Sequence, residues 1–314
     1  MKTVKTLFGT IAMGAFLSGA AYAAEPESCK TVRFSDVGWT DITATTAATS
    51  TVLRALGYET ETKILSVPVT YASLKNKDID IFLGNWMPTM EGDIAPYRED
   101  GSVETVRANL EGAKYTLAVP RYTYEKGLKS FADIAKFAAD LDGKIYGIEP
   151  GNDGNRLIIG MIEADQFGLG SFEIVESSEQ GMLAQVARSE RRQEDIVFLG
   201  WEPHPMNANH DMAYLDGGDD VFGPNYGGAT VYTNVRAGYV AECPNVGKLL
   251  ENLEFSLAME NEIMGAILND GKQPDDAAAA WLKANPAAFE AWLDGVTTVD
   301  GGDAVAAVKA GLGL

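Results

Sequence analysis

The phrase Asp78-Ile79-Asp80-Ile81-Phe82-Leu83-Gly84-Asn85-Trp86-Met87-Pro88 returns later in the chain as Asp195-Ile196-Val197-Phe198-Leu199-Gly200-Trp201-Glu202-Pro203. Each copy reads as a short apolar strand that runs out at its glycine and delivers a tryptophan into the loop beyond. In an α/β domain, ligands bind in the loops beyond the carboxyl ends of strands. Two matched strand ends, each carrying an indole, predict two similar lobes facing one aromatic-walled cleft. For either phrase alone, a buried strand whose tryptophan merely caps a core is the simpler alternative.

The surrounding pattern supports an α/β chain. Residues 31–35 alternate like a first strand and end in Asp36-Val37-Gly38-Trp39-Thr40-Asp41, again a tryptophan beside a strand end. Residues 42–56 read as a helix stopping at Gly57, 58–66 as a strand and 69–75 as a short helix before the first phrase. This βαβαβ rhythm implies a parallel, doubly wound sheet. Residues 114–120 form another strand with Tyr115 at its beginning, where the first crossing between lobes is expected. Helix 134–141, strand 144–148, a turn at 149–154 opening a helix to Ala164, and helix 180–188 lead into the second phrase. Strand 229–235 returns to the first lobe. Helical stretches at 246–268 and 274–293 and a short helix near Val305 close the chain. The expected division is therefore 24–115 and 229–314 in one lobe and 116–228 in the other. Trp281 and Trp292, on the late helices, are expected in core packing.

Residues 1–23 have the marks of a secretory signal peptide. Lys2 and Lys5 precede a short apolar run, and Ala21-Tyr22-Ala23 supplies the small residues of a cleavage site. The run is too short and too rich in Gly and Thr to span a bilayer. An exported, periplasmic protein cut after Ala23 is expected. The formal charge of −20 argues against nucleic acid, whose phosphates demand basic patches. It would favour a small cation, although solubility explains an acidic surface equally well. Cys29 and Cys243 are the only cysteines, and an even pair in an exported protein usually oxidises. Loop-closure entropy puts an upper limit of roughly 5 kcal/mol on a bond closing so long a loop. Such a bond also requires the chain to leave a lobe and come back to it.

Candidate chemistry is sparse. There is no Gly-x-Ser-x-Gly elbow. His204 and His210, the two histidines, lack a familiar zinc spacing, so no metal is expected. The turn Glu149-Pro150-Gly151-Asn152-Asp153-Gly154 has the position of a phosphate loop without its lysine, so no nucleotide cofactor is expected. A glycosidase using Asp41 and Glu202, each beside a loop tryptophan, is the rival from a different class.

Trp39, Trp86, Tyr115 and Trp201 converge at strand ends. Electron-rich ring faces attract cations, and a box of them suits a quaternary ammonium that has no N–H to donate. Four rings at on the order of 0.5–2 kcal/mol each would supply several of the roughly 8 kcal/mol that micromolar binding represents. A primary amine would leave its N–H donors without partners there.

Gly38-Trp39-Thr40-Asp41, Gly84-Asn85-Trp86-Met87-Pro88 and Gly200-Trp201-Glu202-Pro203-His204-Pro205 together resemble the substrate-binding proteins of ABC importers for choline, glycine betaine and related quaternary amines. The likeness covers essentially the whole mature chain and is strongest to periplasmic choline-binding proteins. It implies a two-lobed type II binding protein, each lobe a doubly wound, mostly parallel sheet flanked by helices. It implies an aromatic cage of Trp39, Trp86, Tyr115 and Trp201, with Asp41 and Asn152 on the choline hydroxyl. It also implies the Cys29–Cys243 disulfide, a hinge, a permease partner, a monomer and no enzymatic activity, with acetylcholine and betaines as weaker candidate ligands. On their own chemistry, Asp41 and Asn152 could equally be helix N-caps, and Tyr115 could be ordinary strand packing. An ionised Asp41 would repel the carboxylate of glycine betaine, so choline is expected to bind more tightly.

Overall fold

The computed structural model describes residues 25–314, so the expected signal peptide and its cleavage site lie outside the described residues. The regular elements are β1 (Thr31–Asp36), α1 (Thr40–Ala55), β2 (Glu59–Ile64), α2 (Val67–Lys75), β3 (Ile81–Met87), α3 (Glu91–Glu99) and the long β4 (Val103–Pro120). Then come β5 (Lys144–Tyr146), α4 (Asp153–Glu163), β6 (Glu173–Val175), α5 (Glu179–Arg192), β7 (Phe198–Glu202), β8 (Met212–Tyr214) and β9 (Gly228–Arg236). The chain closes with α6 (Pro244–Asn252), α7 (Leu257–Leu268), α8 (Pro274–Ala284), α9 (Pro286–Trp292) and α10 (Ala304–Leu312), with short helical turns between the longer elements.

The strands lie in the order β2-β1-β3-β9-β4-β7-β5-β6, with β8 on the other edge of β4. The first three strands and the last three repeat one arrangement: β1 pairs in parallel with β2 and β3, and β5 pairs in parallel with β6 and β7. Every antiparallel pair involves β4 or β9. These are the strands by which the chain passes from one half of the sheet to the other and returns. β4 pairs with β9 from Val103 to Lys114 and with β7 from Lys114 to Ala118.

The two repeated phrases fall on corresponding strands, β3 and β7. Both strands are buried almost throughout, as their apolar runs require. Each is followed by a cis X–Pro bond, at Met87–Pro88 and Glu202–Pro203. Two acids of the phrases anchor ion pairs: Asp80 takes Arg33 and Arg236 at 2.7 Å, and Asp195 takes Lys126 at 2.8 Å. One expectation needs correcting. Neither strand stops at its glycine, and both tryptophans sit within the ladder, Trp86 opposite Val231 and Trp201 opposite Tyr115. Gly84 instead permits close packing, since a Cβ there would lie 2.7 Å from the Ile42 side chain of α1. The β3–β9 register shifts between Phe82 and Asn85, which carries Trp86 onward in the strand.

The late helices also differ from the sequence reading. The stretch 246–268 breaks between α6 and α7, where the Phe255 N–H is drawn to the Asn109 carbonyl in β4 at 2.7 Å. The stretch 274–293 breaks at Asn285, because the residue before Pro286 is steered away from helical geometry. Residues 134–141 hold only the end of a short helix and a 3-10 turn. Trp292 is buried against Phe255, whereas Trp281 is partly exposed and gives its indole N–H to Glu262. Cys29 and Cys243 form a disulfide across a separation of 214 residues. It joins the turn before β1 to the start of α6. Among the described residues no helix is long and apolar enough to cross a membrane.

Candidate functional site

α1 follows the parallel strand β1 and α4 follows β5, and the starts of both helices share a cavity with Trp86 and Trp201 near the ends of β3 and β7 and with Tyr115 inside β4. Trp39 occupies the N-cap position of α1, and Asp41 lies within its first turn without capping it. Asn152 caps α4, its Oδ1 accepting the Asn155 N–H at 3.1 Å. Together with Trp86 of β3, Tyr115 of β4 and Trp201 of β7, these residues line one cavity. All six candidate site residues named from the sequence are on its wall. Ile148 and Asp153 line it as well and were missed. Asp153 follows Asn152 at a helix start, and that position was the available signal.

The rings stand at steep angles to one another. Tyr115 lies 6.0 Å from Trp86 at 63° and 6.2 Å from Trp201 at 83°, between centroids. These are edge-to-face contacts rather than parallel stacks, and all three rings line the same cavity. Two of the indole N–H groups are already committed to carboxylates. Trp39 Nε1 donates to Glu149 Oε1 at 2.8 Å, and Trp86 Nε1 donates to Asp41 Oδ2 at 3.1 Å. The Tyr115 hydroxyl donates to Asn152 Oδ1 at 2.8 Å.

Two polar functions remain unspent. Asp41 is 1 % exposed, and its Oδ1 has no hydrogen-bond partner. Asn152 Nδ2 gives one hydrogen to Asp153 Oδ1 at 3.2 Å. Its second hydrogen is free, because an amide nitrogen carries two donors. An acceptor and a donor on one cavity wall match a hydroxyl, which gives one hydrogen bond and takes another. Asp153 Oδ2, also buried, is a further acceptor without a partner.

The electrostatics are those of a site waiting for positive charge. Burial, reinforced by the charge of Glu179, pushes the Asp41 carboxyl up from its ordinary 3.8 to about 8. Burial likewise raises Glu149 to about 7 and Asp153 to about 6. Glu260 on α7 is driven well above the carboxylate range by burial and by the charge of Asp41. A cation in the cavity would relieve these penalties by favouring the ionised acids.

The paired carboxylates of the glycosidase reading do not meet here. Glu202 is off the cavity wall and bonds to Lys114 at 3.1 Å, because its neighbour Trp201 takes the inward face of β7. The histidines also diverge: His204 faces Glu179 at 3.2 Å and His210 faces Glu190 at 2.7 Å.

Comparison with known proteins agrees with this architecture. A solved structure of an ABC-transporter choline binding protein in complex with choline is 75% identical, with a TM-score of 0.91 over 92% of this chain and 100% of that one. A choline binding protein in an unliganded semi-closed conformation, equally 75% identical over the same shares of each chain, gives 0.85. Lactococcal OpuAC in its closed form with glycine betaine is 25% identical, with a TM-score of 0.76 over 83% of this chain and 98% of that one. Among curated proteins, an uncharacterized protein, ORF1, of Chromohalobacter salexigens is 56% identical over 46% of this chain and 90% of its own length. The solved relatives are two-lobed α/β binding proteins, and the fold described above is theirs. Over residues 30–284 the chain matches the OpuAC family, and it belongs to that family of substrate binding domains of ABC-type glycine betaine transport systems.

Proposed function

We propose that this chain is an extracytoplasmic receptor that encloses choline between two lobes and hands it to the permease of an ABC importer. One observation carries the reading: four aromatic side chains bound a single cavity that also presents the unpartnered Asp41 Oδ1 and the Asn152 amide, which has a hydrogen to spare. The trimethylammonium head would rest against Trp39, Trp86, Tyr115 and Trp201. The hydroxyl would donate to Asp41 Oδ1 and accept from Asn152 Nδ2. Glycine betaine would present a carboxylate to Asp41 in place of that hydroxyl, at a cost in repulsion.

The lobes in this reading comprise 24–115 with 229–314, and 116–228. The transfer of β4 from β9 to β7 at Lys114 supports the first boundary, and the start of β9 at Gly228 supports the second. The better fit to the choline-complexed relative than to the semi-closed one supports a closed arrangement. The chain acts as a monomer in the periplasm, released by cleavage after Ala23, and performs no covalent chemistry. Acetylcholine and betaines bind more weakly. Calorimetric titration with choline and glycine betaine tests the proposal. Choline should bind at least about tenfold more tightly, the scale of a hydrogen bond to a charged group. Equal affinities would remove the role given to Asp41, and heat from neither would end the proposal.

A further inference from the structure

Helix α1 begins without a side-chain cap of its own. Trp39 holds the N-cap position and makes no capping bond, so the first N–H groups of the helix need an acceptor from elsewhere. That acceptor is Glu179, the first residue of α5, 139 positions along the chain. Its Oε2 takes the Thr40 N–H at 2.9 Å, and its Oε1 takes the Thr40 hydroxyl at 2.5 Å. Oε1 also faces His204 Nε2 at 3.2 Å. The histidine tautomer follows from its other nitrogen. Nδ1 accepts the Met206 N–H at 2.9 Å, so Nε2 carries the proton and donates to Glu179. Thr40, Glu179 and His204 are all buried. The His204 ring meets Trp201 edge-on, with centroids 5.0 Å apart.

We propose that Glu179 is the latch of cleft closure, a positioning residue that sets how long a bound molecule stays. The inference rests on the two-lobed reading above, in which Thr40 and Glu179 belong to opposite lobes. Opening the cleft would part them and give both to water, so their bond contributes to the closed form alone. Other bonds also join the two lobes, among them Tyr115 to Asn152 at 2.8 Å, Arg156 to the Thr89 carbonyl at 2.9 Å and Asn209 to Asn269 at 2.9 Å. Arg156 meets Asp93 at 2.6 Å with its side chain 44% exposed, which makes it a weak contributor. Trp39 bonds to Glu149 from inside the cavity wall, so changing it would also change the ligand's surroundings. Glu179 is buried and off the cavity wall, so it makes no contact with what is enclosed; its charge does act on Asp41, and the charge-neutral change at Thr40 separates that effect from closure. Through His204, Glu179 also braces Trp201.

A bond present in the closed complex and absent from the encounter changes dissociation rather than association. The test is stopped-flow tryptophan fluorescence on the full mature chain, with choline as probe. Glu179→Gln should speed dissociation by about tenfold or more, the range for a hydrogen bond to a charged group, and leave the association rate within about twofold. Thr40→Ala, which removes one hydrogen bond without altering charge, should speed the dissociation of choline and glycine betaine by the same factor. The double variant should show less than the product of the two effects, because both remove one bond. In either variant the melting temperature should fall less without ligand than with it, because the closed form holds only a share of the unliganded population. Unchanged dissociation rates would overturn the latch, as would an unliganded melting temperature that falls as far as the liganded one. If the wild-type chain binds neither amine, the choline reading fails by itself. Small-angle scattering then judges the latch: Glu179→Gln should give a more open unliganded particle than wild type, and identical profiles overturn it.

Discussion

Oδ2 of Asp41 takes the indole N–H of Trp86 at 3.1 Å, while Oδ1 of the same buried carboxylate has no partner. One oxygen thus fixes the orientation of a wall of the cavity, and the other is left for what enters it. Replacing Asp41 by Asn keeps the shape and removes the charge. Choline affinity should fall by about tenfold or more, since a charged acceptor is lost. Glycine betaine, relieved of repulsion, should lose less, so the ratio between the two narrows. Calorimetry with both ligands reads that ratio, and an unchanged ratio would take the hydroxyl away from Asp41.

The acidity of the cavity gives a pH dependence with a definite sign. In the folded, unliganded chain the Asp41 carboxyl is raised from 3.8 to about 8. The native state therefore holds more protons than the unfolded chain between those limits. Its contribution to stability is full below pH 3.8 and is lost as pH rises to about 8. A bound cation favours the ionised acid and removes that loss. The increase in melting temperature caused by choline should accordingly grow across this interval and level off above it. Scanning calorimetry with and without choline at several pH values checks the trend, and a shift independent of pH would contradict it.

Trp201 offers a ring whose loss can be isolated. Trp201→Leu keeps an apolar wall and removes the π face, so choline should lose about 0.5–2 kcal/mol, the value of one cation–π contact. An uncharged analogue in which a tert-butyl group replaces the trimethylammonium head should be affected far less. Similar losses for both molecules would mean that Trp201 contributes shape alone.

The Cys29–Cys243 disulfide should matter to stability and not to binding. Neither cysteine lines the cavity, and the bond closes a loop of 214 residues. Replacing both by Ser should lower the unfolding free energy by about 2–5 kcal/mol. Choline affinity measured well below the melting temperature should be unchanged. Urea titration and calorimetry on the same variant separate the two quantities.

The sequence exposed the parts of this molecule that are locally encoded. The repeated phrases announce β3 and β7 because a strand buried on both faces must be apolar along its length, and the rings follow in chain order. Asn152 was readable as a cap from its place before a helix. Glu179, Glu149 and Glu260 were not readable as part of the site. Nothing in their immediate neighbourhood distinguishes them from other acids on helices, and the contacts that bury them are formed by distant segments. The same holds for the break between α6 and α7, whose cause is a carbonyl in β4. Asn285–Pro286 did carry a local signal for its break, in the steric demand of the proline ring.

The bond from Trp86 to Asp41 also has a spectroscopic consequence. Indole emission responds to the charge of the group its N–H touches, so this ring reports whether the acid beside it holds a proton. The chain carries its own indicator dye, placed where the ligand's charge is met. Following that colour against pH, in the empty protein and the filled one, would register the titration of the buried acids beside Trp39 and Trp86 without any label.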